Sequence, residues 1–243
     1  CDTLNILPGH EWNHDERVNG TVYEGDLLNY AVLQGSVEIL RWMMEKKGWE
    51  SNGDTGAWAG FSGSVQVLEY LVDWGYEFEF DENACAWAAR GGRLEALKFL
   101  RGLDPPCPWN SETCARAAEE GHLDVLKWLR SQDPPCPWDE WTCTCAALGG
   151  NLDVLKWLRS QDPPCPWDKV TCSEAAKGGH LEVLKWLRDQ DPPCPWSRSE
   201  CREAASHKGH QHIVDWIDQQ EDESDVELSD SDDDRSYDSY GDD

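Results

Sequence analysis

Residues 165–188 read CPWDKVTCSEAAKGGHLEVLKWLR, and this stretch decides the fold because close copies of it recur along the chain. Its first tryptophan, Trp167, and its two cysteines each belong to a series with a spacing of 29 residues. The three series are Trp109, Trp138, Trp167 and Trp196; Cys107, Cys136, Cys165 and Cys194; and Cys85, Cys114, Cys143, Cys172 and Cys201. A fixed period of this length indicates a repeat protein in which each unit packs on the next.

Each copy predicts two short helices. Asp168 follows the loop and can accept hydrogen bonds from the first turn of the first helix. A glycine pair that ends at Gly179 stops this helix, since glycine tolerates the left-handed turn at a helix end. The second helix has leucines on one face, at Leu181, Leu184 and Leu187. Pro192 then prevents its continuation. The capping position of the other copies holds Asp81, Asn110, Asp139 and Ser197.

Degenerate copies extend the pattern to seven units. Each contains an anchoring glycine, at Gly35, Gly63, Gly92, Gly121, Gly150, Gly179 and Gly209. The last unit is more polar than the others, because Gln211 replaces a leucine or valine and basic or imidazole side chains surround it (His207, Lys208, His210 and His212). A terminal unit has one face in water, so this composition predicts a cap.

The string Thr171-Cys172-x-x-Ala175-Ala176-x-x-Gly179-His180-Leu181-x-Val183-Leu184-x-x-Leu187 resembles the ankyrin repeat signature. The family's proline and histidine near the threonine are missing, and the repeat is 29 residues long, where ankyrin repeats have about 33. The resemblance implies an all-α solenoid of stacked helix–loop–helix repeats over residues 22–218. Residues 1–21 are then an N-terminal extension, and residues 219–243 are an acidic tail that we expect to be disordered.

The resemblance also implies a function. Ankyrin-type repeats imply a protein–protein interaction scaffold or adaptor, with no catalysis and no cofactor, that binds its partner on the concave face lined by first helices and loop tips. The first helices vary between copies whereas the second helices barely do, so we place the binding residues there. They are Glu112, Arg116, Glu140, Trp141, Thr144, Cys145, Lys169, Val170, Ser173, Glu174, Arg198 and Arg202.

Trp141 stands out because its counterparts are Glu112, Val170 and Ser199. An aromatic residue outside the repeat pattern is either an interface anchor or a local packing feature. The alternative for every variable position is a solvated side chain without a partner.

The cysteines occur as Cys-x6-Cys, whereas zinc sites usually pair cysteines two to four residues apart. Their number, eleven, is odd, and the start of the chain does not resemble a signal peptide. We therefore predict reduced cysteines that pack as small apolar side chains, with disulfides and metal sites as alternatives. Cys145 lies outside both series and is predicted to be an exposed thiol.

The formal net charge of −27 disfavours nucleic acid and anionic membranes as partners. It favours another protein, including one with a basic surface. No apolar run approaches the roughly 18 residues of a membrane span. We expect an intracellular monomer, cytoplasmic or nuclear. Position 1 is cysteine, so we also expect a fragment or a trimmed chain, with room for an upstream domain.

Residues 221–243 contain twelve acidic residues and one basic residue. Ser224, Ser229 and Ser231 each precede an acidic residue by three positions, which suits an acidophilic kinase. An alternative function for the chain is therefore a chaperone or decoy for basic proteins that acts through this tail. A purely solubilising role of the tail is equally open.

His10-Glu11-Trp12-Asn13-His14 matches the zinc-protease pattern His-Glu-x-x-His, which requires a helix. Pro8 and Gly9 precede the motif, and Asn13 and Asp15 are poor helix formers. A zinc-dependent hydrolase is therefore the weakest alternative, and we predict no metal site.

Overall fold

The computed structural model describes residues 24–48, 50–51, 53–74 and 80–220. Within these residues the regular elements are all helical, which confirms the predicted all-α fold. The helices are α1 (Glu24–Leu33), α2 (Val37–Arg41), α3 (Thr55–Ser62), α4 (Val65–Trp74), α5 (Glu82–Arg90), α6 (Leu94–Arg101), α7 (Ser111–Glu119), α8 (Leu123–Arg130), α9 (Glu140–Leu148), α10 (Leu152–Arg159), α11 (Lys169–Gly178), α12 (Leu181–Arg188), α13 (Arg198–His207) and α14 (Gln211–Asp218). A π-helical turn, Trp42–Lys46, continues α2.

Consecutive helices pair into seven repeats, from repeat 1 (α1 and α2) to repeat 7 (α13 and α14). The chain divides after Trp138 into two compact units, an N-terminal unit with repeats 1–4 and a C-terminal unit with repeats 5–7. In the N-terminal unit the first helices pack in the order α1, α3, α5 and α7. In the C-terminal unit the order is α9, α11 and α13. Each unit is therefore a stack of helix–loop–helix repeats, as predicted.

The helix boundaries follow from the predicted capping and glycine positions. The carboxylate of Asp168 accepts hydrogen bonds from the backbone N–H groups of Val170, at 3.0 Å, and Thr171, at 3.3 Å. The other predicted caps also accept a bond from the first turn of their helices, at Asp81, Asn110, Asp139 and Ser197. Gly179 ends α11 with a φ of +85°, a conformation that only glycine adopts without strain. The same left-handed geometry recurs at the other anchoring glycines.

The core is built from leucines of the second helices and alanines of the first. Fully buried leucine pairs occupy five consecutive repeats, at Leu68 and Leu71, Leu97 and Leu100, Leu126 and Leu129, Leu155 and Leu158, and Leu184 and Leu187. Each leucine contributes about 1.5–3 kcal/mol by leaving water. Small residues let the first helices approach closely: a side chain added at Gly60 of α3 would collide with the backbone carbonyl of Ala84 in α5. The packing thus requires the Gly and Ala pattern of the sequence.

The loop Asp-Pro-Pro-Cys-Pro-Trp is held by the last residue of the preceding helix. Arg159 donates a hydrogen bond to the backbone carbonyl of Cys165, at 2.6 Å, and its guanidinium carbon lies 3.9 Å from the ring centroid of Trp167. The thiol of Cys165 lies 3.4 Å from the carbonyl oxygen of Asp139 in the preceding repeat. Equivalent arginines hold the other three loops, at Arg101, Arg130 and Arg188. Each short loop is therefore fixed by a cation–π contact and hydrogen bonds.

A polar link also joins neighbouring repeats at the start of the second helix. Nε2 of His180 lies 2.9 Å from the carbonyl oxygen of Leu148, near the end of the first helix of the preceding repeat. His122 and His210 make the same contact with Arg90 and Lys177. This contact provides a hydrogen-bond partner for a carbonyl group that the helix end leaves unpaired.

Repeat 7 has the polar surface that its sequence predicted. Four of the side chains that distinguish it are exposed, at His207, Lys208, Gln211 and His212. In addition, Arg202 and Asp218 form an exposed ion pair, with 2.7 Å between Nε and Oδ1. Water can therefore solvate this end of the stack.

Candidate functional site

The predicted binding residues lie on α7, α9, α11 and α13, the first helices of repeats 4–7. The caps fix the start of these helices, because Asp139 accepts a hydrogen bond from the backbone N–H of Trp141, at 3.1 Å. Asp168 does the same for Val170. The exposed side chains that follow each cap therefore have a fixed register from one repeat to the next.

Trp141 is exposed and lies in the first turn of α9. Its side chain is 51% accessible, and it is the one exposed large apolar side chain among residues 139–220. Glu140 beside it is also exposed, whereas Val170, at the same position of the next repeat, is half-buried. An exposed tryptophan offers a large apolar area and an indole N–H, the combination most often found at the energetic centre of protein interfaces.

Two predicted binding residues are wrong, Thr144 and Cys145, because both are buried. Thr144 is 1% exposed, and its hydroxyl donates to the carbonyl of Glu140 and lies 3.1 Å from the hydroxyl of Thr171 in the next repeat. Cys145 is 2% exposed, so it is not the accessible thiol that we predicted. Its side chain is too short to reach solvent from this position, whereas the long side chain of Arg116 does so at the equivalent position of repeat 4.

Arg116 is held by two carboxylates of its own helix. Nη2 lies 2.9 Å from Glu112, one of the predicted residues, and Nη1 lies 3.0 Å from Glu119. Partial burial favours the neutral form, but the hydrogen bonds to both carboxylates outweigh it and raise the pKa of Arg116. The guanidinium is therefore charged, and Glu112 and Glu119 balance its charge.

The predicted basic residues of the C-terminal unit are also paired. Nζ of Lys169 lies 2.9 Å from Glu200 in the next repeat, and this hydrogen bond raises the pKa of Lys169. Arg202 lowers the pKa of Asp218 through its hydrogen bonds to that carboxylate. Arg198 donates to the backbone carbonyl of Ile217, at 3.1 Å. These cations therefore stabilise repeats 6 and 7 before any partner is bound.

The last two predicted residues, Ser173 and Glu174, lie half-buried on α11. Ser173 donates to the carbonyl of Val170, at 3.0 Å, and Glu174 lies 2.8 Å from Lys177. Both contacts lie within α11. The predicted set thus contains one exposed aromatic residue, several separately paired charges and two buried residues that do not belong to a surface.

An aromatic cluster that was not predicted from the sequence lies on the first helices of the N-terminal unit. The ring centroids of Trp58 and Trp87 lie 5.2 Å apart, and those of Phe61 and Trp87 lie 5.8 Å apart. Arg90 lies over Trp87 and bonds to Glu120 at 3.1 Å. Trp87 and Trp58 occupy the position of Arg116 in repeats 3 and 2, so the 29-residue spacing was the signal that could have identified them. The first repeats match the repeat pattern poorly, which made this equivalence hard to see.

The described residues contain no group of three or more His, Cys, Asp or Glu side chains that could hold a metal ion. The motif of His10, Glu11 and His14 and the sites Ser224, Ser229 and Ser231 lie outside the described residues. Within the described residues, none of the helices is long and apolar enough to cross a membrane.

Residues 114–159 match the family model of ankyrin repeats (many copies). This segment is similar to ankyrin repeats. The match begins within α7 and ends with α10, and the same helix pair recurs on both sides of it. No curated protein matches the chain significantly. Ankyrin repeats are generally protein–protein interaction modules and are typically not enzymes.

Proposed function

We propose that the protein is a scaffold or adaptor that binds another protein through the first helices of its ankyrin repeats, with Trp141 as the anchor. The observation that carries the proposal is the 51% exposure of this tryptophan in a capped, well-packed helix. Burial of an exposed tryptophan releases a large apolar area from water. The packed repeats provide a preformed surface, so binding does not have to order the scaffold.

The charges around Trp141 support a polar rim with basic and acidic parts. Glu140 is exposed on the same turn, and the ion pair of Lys169 and Glu200 lies on the following first helices. Such paired charges set the orientation of a partner more than the affinity. With the net charge of −27, they favour a partner whose contact surface carries basic residues.

A photo-crosslinking amino acid at position 141 tests the proposal in a native cell extract. The matched control carries the same probe at position 156, since Lys156 is exposed on the second helix of the same repeat. A partner that is captured from position 141 and not from 156 supports the proposal. Equal capture from both positions, or capture from 156 alone, contradicts it.

Affinity for the captured partner then measures the role of the tryptophan. Trp141→Ala should weaken binding about 30-fold or more, because the loss of an anchor typically costs 2 kcal/mol or more. Trp74→Ala is the matched control, since Trp74 is also exposed but lies in α4, a second helix. If the two variants weaken binding equally, the anchor assignment is wrong.

The acidic tail supports a second candidate, a chaperone or decoy for basic proteins. Its twelve acidic residues against one basic residue favour electrostatic capture. This function requires that deletion of residues 221–243 removes most of the binding and that the affinity falls steeply with salt. The scaffold requires the opposite ranking, with Trp141→Ala more harmful than the deletion.

The remaining assignments follow from the same proposal. We propose an intracellular monomer, cytoplasmic or nuclear, without catalysis or cofactor, whose partner is neither nucleic acid nor membrane. Phosphorylation of Ser224, Ser229 or Ser231 would add to the negative charge of the tail. Elemental analysis of the purified protein tests the alternative of a zinc-dependent hydrolase. That alternative requires one zinc ion per chain in the natural sequence and its loss in the variant His14→Ala.

A further inference from the structure

A cavity of about 600 Å³ lies in the N-terminal unit, between α4, the start of α5 and the first Asp-Pro-Pro-Cys-Pro-Trp loop, residues 104–109. Apolar side chains line part of it, among them Val72, Phe80 and Leu103. Glu82 and Asp104 add two exposed carboxylates to the lining. Ligand pockets in proteins commonly have this size and this mixture of apolar and polar groups.

Two departures from the repeat pattern leave room for the cavity. The spacing of 29 residues makes Val72 the counterpart of Arg101 and Phe80 the counterpart of Trp109. Valine and phenylalanine are smaller than arginine and tryptophan, so they fill less of the space between the helix end and the following loop. The cavity therefore lies beside Val72, at the position from which later repeats extend an arginine side chain.

In those repeats the arginine places its guanidinium group over the tryptophan of the following loop. The guanidinium carbon of Arg101 lies 4.0 Å from the ring centroid of Trp109. Such a contact between a cation and an aromatic ring is favourable. Val72 cannot provide the cation for Phe80. The fold therefore repeats a guanidinium site, and at Phe80 this site has the aromatic residue without the arginine.

The charges around the cavity favour a cation. None of the residues that line it is basic. Among the described residues, neither Glu82 nor Asp104 has a basic partner. Asp81, which also belongs to the lining, caps α5 through its carboxylate. Carboxylates without a counter-charge at the edge of an apolar cavity attract a positively charged group.

We propose that this cavity, which we call the arginine pocket, binds the guanidinium group of an arginine side chain that a partner protein supplies. In the complex the group lies beside Phe80, and Glu82 and Asp104 are its counter-charges. A guanidinium fits this position better than a lysine ammonium, because it is planar, packs on an aromatic ring and can donate to two carboxylates. The inference rests on the proposed function for the source of the arginine, but it does not depend on Trp141.

An NMR titration of the full chain with a blocked peptide, acetyl-Gly-Arg-Gly-amide, tests the arginine pocket. The amide signals of Val72, Glu82 and Asp104 should shift saturably. The same peptide with citrulline in place of arginine keeps the shape and loses the charge. It should bind more weakly by about 10-fold or more, because the cation–π contact and both counter-charges are lost. Free L-arginine should bind no more tightly than the blocked peptide, and tighter binding would contradict a protein as the source of the arginine.

Two variants test the residues of the arginine pocket. Val72→Arg restores the side chain of the later repeats, which should fill the pocket and abolish peptide binding. Val72 is 40% exposed, so the longer side chain should not prevent folding. Glu82→Gln with Asp104→Asn should weaken binding about 3- to 10-fold through the loss of two counter-charges. The matched control, Asp162→Asn with Asp191→Asn, makes the same charge change at counterparts of Asp104 in later loops and should leave the affinity unchanged.

Three results would overturn the arginine pocket. They are the absence of a saturable shift at its residues, equal affinity for the arginine and citrulline peptides, and unchanged binding in Val72→Arg. None of them bears on the proposed anchor, because the short peptide does not report on Trp141. Equally, a partner that does not need Trp141 would leave the peptide titration as it is, so the two proposals fail separately.

Discussion

At the level of single residues, the buried thiols are the most distinctive feature of this protein. Ten cysteines, from Cys85 to Cys201, are buried. Hydrogen bonding to Cys165 and burial raise the pKa of Cys143 far above its ordinary value, and Cys194 has the same effect on Cys172. Burial raises the pKa of Cys201 to about 12. Such thiols behave as small apolar side chains and are poor nucleophiles.

We predict that iodoacetamide does not modify these cysteines in the folded protein at neutral pH. Modification needs a thiolate that is in contact with solvent, and the buried thiols offer neither property. Peptide mapping after a short reaction should find Cys143 and Cys172 unmodified in buffer and fully modified in denaturant. Ser199→Cys provides the control, because Ser199 is exposed on α13 and the new thiol should react without unfolding. Reaction of Cys143 at the rate of this control would contradict the prediction.

Single residues also show where prediction from sequence fails. The period of 29 residues predicts which positions are equivalent, but it does not predict the exposure of a short side chain at a variable position. Cys145 and Arg116 are equivalent, yet only the arginine reaches solvent. Thr144 varies between repeats and yet is buried, and its hydroxyl lies 3.1 Å from that of Thr171 in the next repeat. Variation between repeats is thus not sufficient to identify a binding residue.

At the level of helices, the caps decide where each repeat begins. Asp168→Ala should lower the free energy of unfolding by about 0.5–2 kcal/mol, because two backbone N–H groups of α11 lose their acceptor. Urea denaturation measures this loss. Asp189→Ala removes the same charge at the C-terminal end of α12, where a carboxylate is unfavourable, and should not destabilise the protein. A larger loss in the control would show that the cap is not the cause.

The helices were predictable because their signals are local and repeated. Capping residues, left-handed glycines and leucine spacing are each visible in the sequence, and seven copies average out their ambiguity. The contacts between repeats were harder to predict from the sequence. Neither the bond of His180 to the Leu148 carbonyl nor the packing of Arg159 on Trp167 follows from residue type alone. Both depend on how far one repeat is displaced from the next, which the sequence does not specify.

At the level of the whole molecule, the buried thiols should make the folded protein less stable at alkaline pH. In the unfolded chain a cysteine ionises near its ordinary pKa of about 8.5, whereas the folded chain keeps the raised values. The contribution of the buried, neutral thiols to the stability of the fold is therefore fully present below about pH 8.5 and declines as the pH rises towards their pKa in the folded chain. Each such thiol contributes a slope of about 1.4 kcal/mol per pH unit.

We therefore predict that the unfolding free energy falls steeply between about pH 8.5 and 10.5, within the window set by these pKa values. Urea denaturation at a series of pH values measures the slope. The double variant Cys143→Ala with Cys172→Ala should have a shallower slope, because two of the responsible groups are gone. The same slope in the variant and the natural chain would exclude the thiols as its cause.

The arginine that holds each loop makes the junctions between successive repeats alike, so that whole repeats could be gained or lost. Arg101, Arg130, Arg159 and Arg188 meet the same partners, a cysteine carbonyl and a tryptophan ring, at the same distance along the chain. An in-frame duplication or loss of one copy would bring together surfaces that already match. Gain or loss of one copy would therefore change the length of the protein by a whole repeat, and each added repeat would contribute a further first helix on the same loop contacts.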